Sequence, residues 1–146
     1  MPVLVESLAQ AEGQDLEDLL RLYADAPPGF LAPHADTRAL LAHGLASGTL
    51  LAGRFNGRLL GAALLERTGD RWRLSHLCVR RLTRRRGVAT RLLEDAMQAA
   101  QAAGAVLCLG AAPDCPVAQA LAARWQLPLQ PPTAAGQGAD GYTPTP

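Results

Sequence analysis

The sequence predicts an α/β (α+β) fold in a single domain, with a mixed, mostly antiparallel sheet of six to seven strands and helices on both faces. Two observations carry this prediction. Residues 49–79 contain three strand-like segments separated by tight turns, and Asn56-Gly57 in the first turn favours a type I′ hairpin. Residues 71–110 then read as strand, helix and apolar strand, which is the spacing of a parallel crossover.

The segments before this meander predict one short strand and two helices. Val3 and Val5 alternate with less apolar neighbours, which is typical of a strand. Residues 14–23 carry leucines at helical spacing, and a Pro-Pro-Gly turn ends this helix. Asp36 is a good N-cap for a second helix, which a Ser-Gly pair closes. The chain therefore starts with a strand and two helices before the meander.

The third strand of the meander runs into a strongly basic turn. Residues 71–79 take most of their bulk from Trp72, Leu74, Leu77 and Val79. Six of the chain's fourteen basic residues fall between positions 80 and 91, although the formal net charge of the whole chain is only +1. The positive charge is therefore local. An Arg-rich turn between a strand and a helix start is a place where backbone N–H groups and the helix dipole bind a phosphate.

A long helix, an apolar strand, a last helix and a weak strand are predicted after the turn. The strand at residues 105–110 is bounded by glycines, the last helix covers residues 117–126, and an irregular strand is expected at residues 127–129. The long helix at residues 87–103 has a predicted buried face made of Val88, Leu92, Ala96, Met97, Ala100 and Ala103.

Length, composition and cysteine usage limit the possible classes of protein. In a chain of 146 residues with 49% apolar residues, residues 1–130 are expected to form one domain and residues 131–146 a Pro- and Gly-rich tail. The three cysteines form no Cys-x-x-Cys pair, which indicates reduced intracellular thiols and no metal site. No apolar run is long enough to span a bilayer and no signal peptide is evident, so a cytoplasmic protein is expected.

The third strand and the turn together resemble the acetyl-CoA signature of the GNAT acetyltransferases. That signature is R/Q-x-x-G-x-G/A after the fourth strand of the fold, and the predicted element order matches the family along nearly the whole chain. The resemblance implies a GNAT-like domain. It rests on Leu77-Cys78-Val79 followed by Arg84-x-x-Gly87-x-Ala89.

Within that superfamily, two segments resemble the PanZ or PanM proteins, which sense acetyl-CoA. The segments are RFNGRLL at residues 54–60 and VRRLTRRRGV at residues 79–88, and residues 18–23 also fit the end of the family's first helix. Those proteins bind acetyl-CoA and then the aspartate α-decarboxylase zymogen, promoting its self-cleavage and restraining pantothenate synthesis. The resemblance therefore implies an acetyl-CoA-binding regulator with that decarboxylase as its partner, contacted by residues 24–34 and the basic turn.

The same resemblance implies which residues hold the cofactor. The backbone of Leu77, Cys78 and Val79 would bind the acetyl carbonyl and the pantetheine arm, after this strand splays from the strand at residues 105–110. The arm would then pair with the strand as a peptide adds to a sheet edge. The pyrophosphate would be held by the turn formed by Thr83, Arg84, Arg85, Arg86, Gly87, Val88, Ala89 and Thr90.

Catalytic residues of an acetyltransferase are less evident in the sequence than the cofactor-binding residues. Many GNAT enzymes have a Tyr acid on the last helix, but the aligned Asn and Tyr positions hold Cys115 and Ala122 here. Glu66 and His76 are weak candidates for a base. An exposed Glu66 paired with a cross-strand Arg, and a structural His76 that faces away from Leu77, are the ordinary interpretations.

Several alternatives stay open at this point. An active N-acetyltransferase acting on a small amine or a protein amine is the main one. His34 and His43 would line its acceptor groove or have no role, and Cys78 is expected to pack rather than to carry an acyl group. A nucleic-acid-binding module is disfavoured, because no aromatic residues interleave with the arginines and the rest of the chain is not basic.

Overall fold

The computed structural model of the protein describes residues 3–24, 26, 30–31, 34–80, 87–110 and 116–130. Within this part of the chain the six strands form one sheet in the order β1-β2-β3-β4-β5-β6. The neighbours from β1 to β4 pair antiparallel, whereas β4, β5 and β6 pair parallel. The elements are β1 (Leu4–Ser7), α1 (Gly13–Ala24), α2 (Thr37–Ser47), β2 (Leu50–Phe55), β3 (Arg58–Thr68), β4 (Arg71–Val79), α3 (Val88–Ala102), β5 (Val106–Gly110), α4 (Pro116–Trp125) and β6 (Leu129–Gln130).

The turn at Asn56-Gly57 and the cap at Asp36 are confirmed, whereas the predicted Pro-Pro-Gly turn at residues 27–29 lies outside the described residues. Asn56 and Gly57 both have positive φ, 53° and 79°, as a type I′ hairpin requires. The Asp36 side chain accepts a hydrogen bond from the Ala39 N–H at 2.8 Å and so caps α2. The last strand was predicted two residues too early, because the segment before it is used for backbone contacts with α4 and β5.

The sheet separates two hydrophobic cores, which confirms the prediction of helices on both faces. The α1–α2 face is the side that α1 and α2 cover, and the α3 face is the opposite side, where α3 and residues of α4 pack. On the α1–α2 face the core includes Leu19, Leu22, Tyr23, Leu40, Leu50, Leu59, Ala62, Leu64 and Cys78. On the α3 face it includes Leu51, Ala63, Leu65, Leu74, Val79, Val88, Leu92, Leu93, Ala96, Leu107 and Ala122.

The predicted buried face of α3 needs two corrections. Leu93 was not included in it and is fully buried, because two adjacent leucines widen the apolar stripe of this helix. Ala103 was included and is exposed, because α3 ends at Ala102 and the chain turns away from the sheet there. Met97 is half-buried. The remaining four members are buried as predicted: Val88, Leu92, Ala96 and Ala100.

Candidate functional site

The strand β4 has a bulge in the segment that the sequence predicts to bind a cofactor. Two residues of β4, His76 and Leu77, stand opposite the single residue Ala63 of β3. His76 has a φ of 55°, a left-handed conformation that is uncommon for a residue other than glycine. The bulge therefore bends the strand at the start of the Leu77 to Val79 segment. The pairs on either side of it are Ala62 with Cys78 and Leu64 with Ser75.

The bulge changes which side chains of β4 share a face. Leu74 and Leu77 both pack on the α3 face, although they are three positions apart. His76 lies on the opposite side from Leu77, as predicted, with its ring against residues of the α1–α2 face. The bulge itself was not predicted. The sequence nevertheless contains a sign of the bulge. The large apolar residues are at even positions before it, Trp72 and Leu74, and at odd positions after it, Leu77 and Val79.

The segment from Leu77 to Val79 lies beyond the ladder that joins β4 to β5. In the described residues that ladder runs from the Arg71–Val106 pair to the Ser75–Gly110 pair. On its other side, β4 stays paired with β3 through Val79 and Gly61. This arrangement is what a ligand arm needs in order to lie alongside β4 where a neighbouring strand would otherwise continue.

The start of α3 is the second part of the candidate site. Gly87 is the N-cap residue, with a φ of 78°, and a Cβ built on it would meet no heavy atom of the described residues within 4 Å. The first helical hydrogen bond runs from the Arg91 N–H to the Gly87 carbonyl at 2.9 Å. The N–H groups of Val88, Ala89 and Thr90 therefore precede that bond, and no side-chain cap is present at Gly87. Such an open helix start suits an anion.

Part of the predicted site lies outside the described residues. Arg80 is the last described residue before the turn, and its N–H donates to the Leu60 carbonyl at 2.8 Å. The pairing of β4 with β3 thus continues to the edge of the basic turn. The predicted site residues outside the described ranges are Thr83, Arg84, Arg85 and Arg86. Cys115, at the position of the enzymes' Asn, also lies outside them.

Glycine residues in the sheet bring the start of α3 directly onto β3. A Cβ on Gly61 would approach Val88 Cγ1 to 2.6 Å and Val79 Cγ2 to 3.3 Å, and a Cβ on Gly53 would come to 3.1 Å from Val88 Cγ1. A larger residue at Gly61 would push α3 away from the end of β4. Gly61 was not predicted as part of the site, although an isolated glycine inside a strand is the usual signal of a close approach.

Asp18 anchors α1 to the start of β3. Its side chain is only 1% exposed, and its oxygens accept hydrogen bonds from Arg58 Nη2 at 2.6 Å and from the Leu59 N–H at 3.1 Å. Burial acts to raise the pKa of this carboxyl, but the bonds from Arg58 and Leu59 outweigh it and hold the pKa below its ordinary value. Asp18 is therefore a buried carboxylate that fixes the position of α1.

Tyr23, farther along α1, contacts the bulge from the α1–α2 face. Its hydroxyl donates a hydrogen bond to the His76 carbonyl at 2.8 Å, and the residue is 2% exposed. Burial, with a smaller effect of Cys78, raises the pKa of Tyr23 well above its ordinary value, so the hydroxyl remains a donor. The sequence placed Tyr23 in the first helix but did not indicate this contact, because it joins residues 53 positions apart.

The two weak candidates for a catalytic base lie in different surroundings. Glu66 stands across from Arg73, with Oε1 3.9 Å from Nη1 and 43% of its side chain exposed, which is the predicted cross-strand pair. The ring of His76 packs edge-on against Phe30, with 6.1 Å between centroids. Ala122, at the position of the enzymes' Tyr acid, is 8% exposed in the core of the α3 face.

The described residues contain neither a metal-ligand cluster nor a membrane-spanning helix. In these ranges, no group of three or more His, Cys, Asp or Glu side chains has an arrangement that could hold a metal ion. No helix among them is sufficiently long and apolar to cross a membrane.

The sheet order, the bulged β4 and the glycine-capped α3 define a GNAT acetyltransferase fold, and solved structures agree. PaiA N-acetyltransferase from Thermoplasma acidophilum, solved with coenzyme A, superposes with a TM-score of 0.62 and 16% identity over 85% of this chain and 88% of its own. N-acetylglutamate synthase from Neisseria gonorrhoeae, solved with coenzyme A and N-acetyl-glutamate, has a TM-score of 0.58 and 20% identity over 75% of this chain. This chain spans only 25% of that synthase, and at such identities the likeness concerns the fold alone.

Sequence comparison narrows the class further. The family model described as "Acetyltransferase (GNAT) domain, PanZ" matches residues 2–114. The PanD regulatory factor of Escherichia coli (strain K12) is 32% identical over 98 residues, which cover 67% of this chain and 68% of that protein. This chain belongs to the PanZ group of the GNAT family, and the predicted resemblance is confirmed.

Proposed function

We propose that this protein is an acetyl-CoA-binding regulator that promotes the maturation of aspartate α-decarboxylase and restrains pantothenate synthesis. The observation that carries the proposal is the meeting of the bulged end of β4 with the open start of α3 at Gly87. The name of the relative, PanD regulatory factor, supports the regulatory role. The two structural neighbours solved with coenzyme A support the cofactor class.

The cofactor lies along β4 and ends at α3 in this proposal. The backbone from Leu77 to Val79 receives the acetyl carbonyl and the pantetheine arm beyond the β4–β5 ladder. The N–H groups of Val88, Ala89 and Thr90 point toward the pyrophosphate, and the open space at Gly87 lets it approach the backbone. Thr83 to Arg86 supply further donors and positive charge to the same phosphates.

A charge placed at Gly87 tests the cofactor site. Gly87→Glu puts a carboxylate against the pyrophosphate, so we expect isothermal calorimetry to show loss of acetyl-CoA binding, with at least about tenfold weaker affinity. Gly104→Glu is the matched control, because Gly104 also has a positive φ, 74°, with no heavy atom within 4 Å of its Cβ. Affinity retained by Gly87→Glu would place the cofactor elsewhere.

Co-purification tests the partner. Tagged protein should retain aspartate α-decarboxylase from the same organism when acetyl-CoA is present and release it when the cofactor is removed, because the cofactor completes the binding surface. The Gly87→Glu variant should retain little under either condition. If the wild-type protein retains no decarboxylase in either condition, the proposed partner is wrong. The cofactor site is then still tested by the calorimetry.

The competing function is N-acetyl transfer to a small amine or a protein amine. A thiol-release assay with an amine panel distinguishes it, since a regulator should show no turnover above background hydrolysis. The position of the enzymes' Tyr acid supports the regulator, because Ala122 itself has no hydroxyl that could act as an acid. Among the described residues, Cys78 and Cys108 form no disulfide, which supports a cytoplasmic location, where reducing conditions prevail.

A further inference from the structure

All three histidines of the chain meet on the α1–α2 face beside the β4 bulge. The ring centroid of His34 lies 5.1 Å from that of His43 and 5.4 Å from that of His76. His34 precedes α2, His43 lies within α2, and His76 is part of the bulge. We call this group the histidine cluster. It joins the start of α2 to the strand segment that leads into the candidate cofactor site.

Other polar groups around the cluster come from three elements. Glu66 of β3 acts on the charge of His34, and Arg73 of β4 contacts Glu66 at 3.9 Å. The Ser75 hydroxyl lies 3.0 Å from His76 Nδ1, and the Tyr23 hydroxyl of α1 donates to the His76 carbonyl.

The surroundings of the cluster favour an uncharged His34. Burial lowers the pKa of His34, and His43 lowers it further, while Glu66 opposes both effects. A proton added to His34 places a positive charge within 5.5 Å of two other imidazole centroids, so a second protonation meets a like charge. Glu66 can offset one such charge but not two.

We propose that the histidine cluster is a proton-sensitive latch, which holds His34 and the start of α2 on the β4 bulge while its imidazoles are neutral and releases them when more than one is protonated. Release removes the contact between the rings of His34 and His76, and His76 is the residue whose backbone carries the bulge. The effect on the cofactor rests on the proposed function: release weakens acetyl-CoA binding at the neighbouring residues Leu77 to Val79.

The direction of the pH effect follows from the lowered pKa of His34. Folding favours its neutral form, so its contribution to the free energy of unfolding is complete above the ordinary pKa of 6.5. That contribution is lost progressively as the pH falls below this value and through the folded-state pKa. Opening of the latch is therefore expected in mildly acidic conditions.

The first test is an NMR titration of the imidazole protons of the cofactor-free protein from pH 8 to about pH 5. Only three imidazoles contribute signals, so each is assigned by single substitution. We expect the pKa of His34 to lie below its ordinary value and His43→Gln to shift it upward. His43 is exposed, so this variant should fold. A His34 that titrates at its ordinary pKa and is unchanged by His43→Gln would overturn the latch.

The second test measures the free energy of unfolding of the wild type and of a variant with His34→Gln, His43→Gln and His76→Asn. Asn replaces His76 because it tolerates the φ of 55°. We expect the wild type to lose stability from pH 7 to about pH 5.5 and the triple variant to lose less. Equal losses in both proteins would overturn the latch. Should the triple variant fail to fold, His43→Gln alone provides the comparison.

Calorimetry with acetyl-CoA then links the latch to the cofactor. We expect wild-type affinity to weaken about threefold between pH 7 and about pH 5.5, and the affinity of the triple variant to change less. An equal change in both would overturn the link. If neither protein binds acetyl-CoA at any pH, the proposed function fails, and the NMR titration still decides the latch on its own.

Discussion

The two faces of the sheet at β3 and β4 are held in place by different interactions. On the α3 face, Val79 and Val88 lie over Gly61, where an added Cβ would come within 2.6 Å of Val88 Cγ1. On the α1–α2 face, the buried carboxylate of Asp18 and the hydroxyl of Tyr23 make directed hydrogen bonds. Apolar packing sets the distance of α3 from the strand, whereas the polar contacts set the orientation of α1 and of the bulge.

This difference predicts how each face responds to substitution. A volume change on the α3 face can be compensated by a second volume change, because apolar contacts have little directionality. A lost hydrogen bond on the α1–α2 face leaves a buried partner without its usual contact, and no nearby change in size restores it. The following substitutions test this contrast, beginning with the largest expected effect.

Removal of the buried carboxylate should have the largest effect. Asp18→Ala removes the partner of Arg58 and of the Leu59 N–H and leaves a void, so the free energy of unfolding should fall by about 3 kcal/mol in urea denaturation. Because the pKa of Asp18 is lowered on folding, its stabilisation is present above its ordinary value of 3.8 and is lost as the pH falls through the folded-state pKa.

Asp15→Ala is the control for Asp18. Asp15 is 29% exposed, and its partner Arg54 also contacts Glu6 at 2.6 Å. We expect this variant to lose less than about 1 kcal/mol. Similar losses for Asp15→Ala and Asp18→Ala would contradict the special role of the buried carboxylate.

Overpacking of the α3 face should have the next largest effect. Gly61→Ala places a Cβ 2.6 Å from Val88 Cγ1, so we expect a loss of about 2 kcal/mol in the free energy of unfolding and weaker acetyl-CoA binding. Adding Val88→Ala should recover part of the loss caused by Gly61→Ala, as measured in a double-mutant cycle. Strict additivity of the two substitutions would contradict the packing account.

Loss of a single hydroxyl tests the polar side of the bulge. Tyr23→Phe leaves the ring in place and removes the bond to the His76 carbonyl, so the expected loss in the free energy of unfolding is about 1 kcal/mol. Amide chemical shifts near the bulge should change, in particular those of Leu77 and Cys78. Unchanged shifts there would mean that Tyr23 does not orient the bulge.

The smallest effect is expected at Cys78. Its Sγ lies 3.4 Å from the Leu22 carbonyl and its side chain packs on the α1–α2 face, so Cys78→Ala should reduce the free energy of unfolding by less than about 1 kcal/mol. Acetyl-CoA affinity should be unchanged, because the proposed contact is made by the backbone. A large loss of affinity would point to a chemical role for the thiol.

Local chemistry explains most of what the sequence predicts correctly. The turn at Asn56-Gly57, the cap at Asp36 and the glycine that opens α3 follow from residues next to each other in the chain. The bulge was not recognised, because one extra residue in a strand leaves only a shift in the apolar alternation. The contacts of Asp18 and Tyr23 were beyond sequence reasoning, since their partners lie far along the chain and depend on how α1 packs.

The bulge also changes which sequence positions of β4 face each core. Before it, residues at even positions such as Leu74 contact the α3 face, and after it residues at odd positions such as Val79 do so. Deletion of His76 would leave Leu77 alone opposite Ala63 and restore an unbroken alternation, with Leu77 and Val79 still on the α3 face. The bulge therefore absorbs one extra residue and keeps the side chains that follow it in the cores that an unbroken strand would give them.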